Sequence, residues 1–128
     1  MSEMPLTRDI LIDESAVTAW AELSGDYNRL HVDPDFAATT PYGRCIAHGP
    51  ILASHVSEWI AALARDSWPR SGEISFRFQA PVFFPAMVTT RLTVRPDIID
   101  GRNIVDIQCT TDDARIVMIG VASWAADR

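Results

Sequence analysis

The 128-residue sequence contains no lysine, so its eleven basic residues are all arginines. Acidic residues number 17, and the formal net charge at pH 7 is −6. The arginines are scattered along the chain, whereas nucleic-acid binding relies on clustered cations that neutralise phosphates. Anionic membrane surfaces are disfavoured for the same electrostatic reason. We therefore expect neither a nucleic-acid partner nor a membrane partner.

Long apolar runs and cysteines are also scarce. No uninterrupted apolar stretch reaches membrane-spanning length. Residues 1–9 lack the basic segment and following apolar run of a secretory signal peptide. The only cysteines, Cys45 and Cys109, are far apart and too few for a disulfide framework. We interpret them as free thiols in a reducing compartment, and a cytoplasmic location is expected.

The N-terminal half of the sequence predicts one strand and two helices, within a single domain that spans residues 1–128. The strand covers residues 6–12, and Asp13 is placed to cap a helix that ends at Gly25. The second helix runs from about Pro50 to Arg65. Its apolar residues cover a wide arc, which is typical of a buried helix. They are Ile51, Leu52, Val56, Trp59, Ile60 and Leu63.

From Gly72 onward, apolar and polar residues alternate, which is the period of a β-strand. Four strands are predicted, at about 73–82, 88–95, 104–111 and 115–125. Strands that follow one another this closely favour an antiparallel meander. The early strand, the buried helix and this sheet together predict an α+β fold, in which the antiparallel sheet wraps around a long central helix.

Between the two predicted helices, residues 26–43 read as a long irregular segment. Pro34 and Pro41 restrict its backbone, and one helical turn is predicted at residues 36–38. A loop of this length is unusual inside a small domain unless it has a function. We therefore expect functional residues in this segment and its flanks.

Asp26 and His31 are the first candidates for a reactive pair. A carboxylate next to an imidazole can hold a water molecule and exchange protons with it near neutral pH. Their spacing of five residues is not helical, so a turn has to bring the side chains together. The alternative is that Asp26 caps nearby backbone amides and His31 is an ordinary hydrogen-bonded polar residue.

Gly49 comes directly before the buried helix, where backbone N–H groups lack partners within the helix. Such a group carries partial positive charge and can polarise a carbonyl oxygen, although a plain loop-to-helix glycine is equally compatible. His48 could act as a base or orient the turn. No Gly-Xaa-Ser-Xaa-Gly elbow surrounds Ser54 or Ser57, so neither is expected to be a nucleophile. The sequence has no His-Xaa-Xaa-Xaa-His pair and no glycine-rich phosphate loop, and we expect no metal.

The segment Leu-Ser-Gly-Asp-Tyr-Asn-Arg-Leu-His at residues 23–31, with Ala37, Tyr42-Gly43 and Ala47-His48-Gly49 after it, resembles a known motif. It is similar to the (R)-specific enoyl-CoA hydratase motif of the MaoC-like family. Residues 76–82 also resemble the strand that leads into that family's first sheet hairpin. The resemblance implies a hot-dog fold and a homodimer or higher oligomer, with acyl-CoA sites near the dimer interface.

The resemblance also implies roles for individual residues. Asp26 and His31 match the family's catalytic pair, which activates a water molecule for addition to a trans-2-enoyl thioester. The product is an (R)-3-hydroxyacyl thioester. Gly49 matches the glycine whose N–H faces the thioester carbonyl. The substrate is carried by CoA or by an acyl-carrier protein, and no separate cofactor is implied.

Four further residues are expected to contact the substrate or support its site: Asn28, Tyr42, His48 and Ser57. Two alternatives remain open for the chain as a whole. One is a hot-dog acyl-CoA thioesterase, in which water attacks the carbonyl carbon. The other is a non-catalytic subunit of a heteromeric hot-dog dehydratase.

The sequence departs from the family pattern at two places. Arg29 stands where the family usually has proline, between the two members of the catalytic pair. It is expected either to loosen the turn or to direct a cation towards a substrate phosphate. Pro85-Ala86 replaces a common Gly-Asp, which is expected to change a hairpin but not the chemistry.

Overall fold

Five strands and five helices make up residues 5–127, the part of the chain that the computed structural model describes. The sequence predicted the type of most of these elements. In chain order they are β1 Leu6–Ile12, α1 Glu14–Ser24, α2 Arg29–Val32, α3 Pro34–Ala38, α4 Gly49–Ala64, α5 Ser67–Ser71, β2 Glu73–Phe78, β3 Ala86–Val94, β4 Arg102–Thr111 and β5 Ile116–Ala125.

The five strands form one antiparallel sheet in the order β1-β3-β4-β5-β2. The last three strands make the predicted meander. The prediction that β2 also belongs to it was wrong, because β2 pairs with β5 at the far edge of the sheet. β2 ends at Phe78, and the segment 79–85 then crosses from that edge towards β3. Pro81 and Pro85 lie in this segment, and a proline has no N–H to offer a strand ladder.

The long helix α4 is buried, as its apolar arc predicted. The fully or nearly fully buried side chains on it are Ile51, Leu52, Val56, Trp59, Ile60 and Ala64. They belong to one core cluster with inward-facing residues of the sheet such as Val88, Val105 and Met118. Burying one large aliphatic side chain contributes about 1.5–3 kcal/mol, so this face holds the helix in place. Leu63, which was expected in the arc, is 38% exposed.

The first helix also has the predicted ends. The Asp13 carboxylate accepts a hydrogen bond from the Ala16 N–H at 3.0 Å. Gly25 has a left-handed backbone with φ 77°, and its N–H donates to the Ala21 carbonyl. Glycine adopts this conformation without steric cost, so the helix stops there and the chain turns at Asp26.

Residues 26–43 are more ordered than the sequence predicted. The Asn28 side chain caps α2 by accepting the Leu30 N–H, and the Asp33 side chain caps α3 by accepting the Phe36 N–H. The prediction of an irregular segment was therefore wrong for α2, whereas the helical turn predicted at 36–38 is confirmed and lies within α3. The short helix α5 was also not predicted.

The two cysteines are free thiols. Cys109 is buried and Cys45 is partly buried, and burial raises the pKa of both thiols above the ordinary value. Within residues 5–127, none of the helices is long and apolar enough to cross a membrane.

Candidate active site

Asp26 and His31 lie next to each other, as the sequence predicted. The carboxylate Oδ2 of Asp26 is 4.0 Å from Nε2 of His31. His31 lies on α2 and its side chain is largely buried, whereas the Asp26 side chain is about half exposed. The separation is too long for a direct hydrogen bond but suits a shared ligand between the two groups.

The ring of His31 is held by a backbone group on its other side. Its Nδ1 lies 2.7 Å from the carbonyl oxygen of Ile46, which can only accept. Nδ1 therefore carries the hydrogen in the neutral ring, and the lone pair is on Nε2, towards Asp26. The N–H of Ile46 in turn donates to the Leu30 carbonyl at 3.3 Å, so α2 is tied to the segment before α4.

His48 connects the end of this segment to the Asp26 backbone. Its side chain is 1% exposed, and Nε2 lies 2.9 Å from the Asp26 carbonyl oxygen. Its ring stacks on that of His31, with centroids 3.9 Å apart and an angle of 28° between the planes. Because Nε2 donates to a carbonyl, Nδ1 is unprotonated in the neutral ring, and it has no hydrogen-bond partner within residues 5–127. His48 thus contacts both members of the predicted pair.

A cavity of about 400 Å³ opens beside His31. Gly49 and Tyr42 line it, and the rest of its wall is mainly apolar, from Phe78 to Val82 and from Val117. Gly49 is the first residue of α4, so its N–H has no partner within the helix and lies at the positive end of the helix dipole. The cavity thus has the His31 side chain and the first residue of α4 in its wall. A second cavity, of about 370 Å³, also touches His31, and Cys45 is in its wall.

Two other predicted residues have local hydrogen bonds. The N–H of Asn28 donates to Asp26 Oδ1 at 3.1 Å, and the Asn28 side chain caps α2. The Ser57 hydroxyl donates to the Ala53 carbonyl in its own helix, at 2.8 Å, and not to Asp26. Neither residue lines the 400 Å³ cavity. Their role in substrate binding stays a prediction, as it does for Tyr42 and His48.

The Arg29 side chain is held by contacts with two residues that follow it. Its Nε donates to Asp33 Oδ2 at 3.1 Å, and its guanidinium lies 4.5 Å from the centre of the Phe36 ring. The preceding residue, Asn28, has φ −51° and ψ 129°, which is the conformation that a following proline requires. The backbone before position 29 would therefore accept a proline, and the Arg29 side chain adds contacts that a proline ring could not make.

Asp26, His31 and His48 also offer three donor atoms within 4.8 Å of one another, the separation expected for metal ligands. Their arrangement suits a metal poorly. The two rings are stacked, so their in-plane lone pairs run side by side and do not converge on one point. These groups fit proton transfer better.

The third histidine, His55, lies on α4 outside both cavities. Burial lowers its pKa, with a further contribution from the nearby Arg8. The residue that sequence reasoning missed is Phe78. It is the last residue of β2, it is 51% exposed, and its ring lies against Gly49. Only the pairing of β2 with β5 brings it there, and nothing local in the sequence signals that pairing.

The fold and the site together define a hot-dog domain with a carboxylate–imidazole pair at a cavity that contains a helix N-terminus. The chain belongs to the MaoC like domain family, whose model matches residues 2–115. The solved structure of an (R)-hydratase from A. caviae, involved in PHA biosynthesis, has a TM-score of 0.76 and 28% identity and covers 98% of both chains.

Two curated relatives give the same picture at the sequence level. An (R)-specific enoyl-CoA hydratase of Aeromonas caviae is 44% identical over 82 residues, which are 61% of this chain and 58% of the relative. A 3-hydroxybutyryl-CoA dehydratase of Methylorubrum extorquens is 33% identical over 103 residues, which are 77% and 62% of the two chains. The match thus spans less than two thirds of the length of each of these two relatives.

Proposed function

We propose that this chain is an acyl-thioester hydratase/dehydratase, which adds water reversibly to a trans-2-enoyl thioester to give an (R)-3-hydroxyacyl thioester. The observation that carries the proposal is the shared cavity of His31 and Gly49, with the Asp26 carboxylate 4.0 Å from the imidazole. The names of the relatives, which include an (R)-specific enoyl-CoA hydratase, support the reaction and its stereochemistry.

In this mechanism, Asp26 and His31 hold the reacting water between them. A water oxygen about 2.8 Å from each group fits a gap of 4.0 Å. The lone pair on His31 Nε2 accepts one water proton as the oxygen bonds to the β-carbon of the substrate. The imidazolium that forms is stabilised by the Asp26 carboxylate, and it then returns the proton to the α-carbon. One O–H bond and the π bond between the α- and β-carbons break, and one C–O and one C–H bond form.

The Gly49 N–H stabilises the charge that develops during this addition. When water adds to the β-carbon, electron density moves to the thioester carbonyl oxygen as an enolate. A backbone donor at a helix N-terminus is already oriented towards that charge and needs no reorganisation. The apolar cavity wall excludes competing water, which strengthens the interaction.

We further propose an acyl-CoA or acyl-carrier-protein substrate, no cofactor beyond the carrier's pantetheine group, and a homodimer. The two edge strands, β1 and β2, each leave one side of their backbone unpaired within residues 5–127, and such edges are available for pairing with another chain. The molar mass in solution tests the dimer. The cytoplasmic location stays a prediction.

The reaction is tested with purified protein on crotonyl-CoA and on longer enoyl-CoAs. Loss of the conjugated thioester absorbance reports hydration, and free-thiol release from a saturated acyl-CoA reports the alternative thioesterase. We expect hydration, and we expect Asp26→Asn and His31→Ala each to lower kcat by about 10²–10⁴-fold.

Matched controls come from the same residue types outside the site. Asp97→Asn, in the connection between β3 and β4, and His55→Gln, on α4, are expected to keep wild-type activity. Wild-type protein that turns over no enoyl thioester would refute the function. Undiminished activity in Asp26→Asn and His31→Ala would refute the roles given to the pair.

A further inference from the structure

The aromatic ring of Phe78 occupies the space next to the α-carbon of Gly49. A β-carbon built on Gly49 would lie 2.8 Å from Cε1 and 2.9 Å from Cζ of that ring. Carbon atoms in comfortable contact are about 3.5–4.0 Å apart. Any side chain at position 49 would therefore have to displace the ring.

The backbone of Gly49 does not itself require glycine. Its φ lies outside the left-handed region, in contrast to Gly25, where φ is 77°. Gly49 is the first residue of α4, and a helical φ is open to any L-residue. The need for glycine at this position therefore comes from the Phe78 ring and not from backbone strain.

Core packing does not account for the position of Phe78, which is 51% exposed. The ring lines the 400 Å³ cavity together with His31 and Gly49. It therefore presents apolar surface beside the backbone donor that faces the proposed carbonyl. In a thioester, the atom bonded to the carbonyl carbon is a polarisable sulfur, and sulfur makes favourable contacts with aromatic rings.

We propose that Phe78 is a positioning residue for the thioester. Its ring contacts the sulfur side of the substrate and confines the carbonyl oxygen to the Gly49 N–H. The same ring makes glycine obligatory at position 49. This inference rests on the proposed function, because it assumes that a thioester binds in this cavity with its sulfur next to Phe78.

The test is a double-mutant cycle with Gly49→Ala, Phe78→Ala and the double variant. Gly49→Ala is expected to lower kcat about 100-fold, because the ring and the helix start must move apart and the donor loses its alignment. Phe78→Ala is expected to lower kcat/KM about 10-fold through looser positioning. In the double variant the new methyl group has room and the N–H is retained, so kcat should recover at least about 10-fold over Gly49→Ala.

Thermal unfolding provides a readout that does not depend on activity. Gly49→Ala should lower Tm, and the added Phe78→Ala change should remove most of that loss. Phe78→Tyr keeps the ring and should keep activity. Ile98→Ala, which truncates a 60% exposed side chain in the β3–β4 connection, serves as the control for loss of exposed apolar surface.

If the effects of the two substitutions are additive, with no recovery of kcat or Tm in the double variant, the inference is overturned. The proposed function still stands in that case if the wild-type protein hydrates enoyl thioesters. A change of molar mass in Phe78→Ala would also overturn it, because Phe78 would then be a contact between subunits. A wild-type protein without activity on any enoyl thioester would overturn the function and, with it, the role of Phe78. In that case the Tm cycle still decides whether the ring is what excludes a side chain at position 49.

Discussion

The two walls of the candidate site are held in different ways. Gly49 lies at the start of α4, whose apolar side is buried in the core cluster. Asp26, by contrast, lies in the mostly exposed segment 25–33, in which no residue is fully buried. Packing against the sheet fixes the position of the first wall, and hydrogen bonds fix the second. A change in either wall should therefore have a distinct signature.

Most hydrogen bonds of the exposed wall join residues that are close in sequence. The Ser24 hydroxyl accepts from the Asp26 N–H, Asp26 accepts from the Asn28 N–H, and Asn28 accepts from the Leu30 N–H. The ties to distant residues include the two histidine contacts with backbone carbonyls. Because few bonds cross from this wall to the rest of the molecule, each of them should matter for geometry more than for stability.

Among changes to the contacts that hold the two walls, the largest effect is expected from His48→Ala, which breaks the connection between them. The change removes a buried ring, its bond to the Asp26 carbonyl and its stacking on His31. The cavity and the lost hydrogen bond should lower the free energy of unfolding by about 2–4 kcal/mol. The displaced pair should lower kcat by about 100-fold. Chemical denaturation and enoyl-CoA hydration measure the two effects.

His48→Gln retains an N–H donor on a side chain of similar length and should recover part of both losses. If His48→Ala destabilises the protein but keeps kcat within a few-fold of wild type, His48 acts in the core alone and does not orient the pair.

A smaller effect, mainly on activity, is expected from Asp33→Ala. Its carboxylate caps α3 through the Phe36 N–H and pairs with Arg29 on α2, so it connects the helix that carries His31 to the next one. Loss of both bonds should lower kcat/KM by about 10-fold. Arg29→Ala removes only the exposed ion pair and the contact with Phe36, so it should lower kcat/KM by about 2–3-fold. Steady-state kinetics on the two variants shows which substitution lowers kcat/KM more. Equal losses would contradict the interpretation that the Asp33 cap of α3 is the main restraint on this wall.

The same carboxylate predicts how this wall responds to acid. The Phe36 N–H, and then Arg29, lower the pKa of Asp33 below its ordinary value. The ionised form is favoured in the folded state, so its contribution is complete above the ordinary carboxyl pKa and is lost as the pH falls through the lowered value. A pH titration of the Asp33 carboxyl signal by NMR measures this pKa and would contradict the interpretation if the pKa were not lowered.

The smallest effect is expected from Arg29→Pro, which restores the residue that the family usually has there. Asn28 already has the backbone that precedes proline, and the first position of a helix does not need its N–H. Proline restricts the unfolded chain, which should raise the free energy of unfolding by about 0.4–1 kcal/mol. This gain offsets the loss of an exposed ion pair. We expect unchanged Tm within a few degrees and hydration activity close to wild type. A loss of activity as large as that of Asp33→Ala would show that the Arg29 side chain itself acts in the site.

Patterns that repeat along the chain predicted most of the fold. The alternation after Gly72 located β3, β4 and β5, and the apolar arc located α4. The partner of β2 was predicted wrongly because strand order depends on pairings between distant residues, such as Phe76 with Gly120, which leave no local signal. The helix α2 was missed, and α3 was predicted only as a turn at 36–38, because both helices are short and depend on single caps.

The site was predicted in the same uneven way. The motif located Asp26, His31 and Gly49, and the structure places His31 and Gly49 in the wall of one cavity, with the Asp26 carboxylate 4.0 Å from His31. The sequence could not indicate that His48 donates to the Asp26 backbone or that Phe78 covers Gly49, since each contact joins segments more than twenty residues apart. The proposed roles of Asn28 and Ser57 also depend on side-chain directions that spacing alone does not determine.

The position of the crossing segment 79–85 late in the chain has a consequence for folding during synthesis. All three proposed catalytic residues lie in the first half of the chain, but the segment that precedes α4 is fastened to the second half. Ala47 donates its N–H to the Val82 carbonyl, Ile46 forms a bridge with Phe83, and Arg44 donates to the Phe84 carbonyl. A ribosome therefore releases the reactive groups long before their support exists, and a nascent chain should acquire activity only after the last strands have joined the sheet.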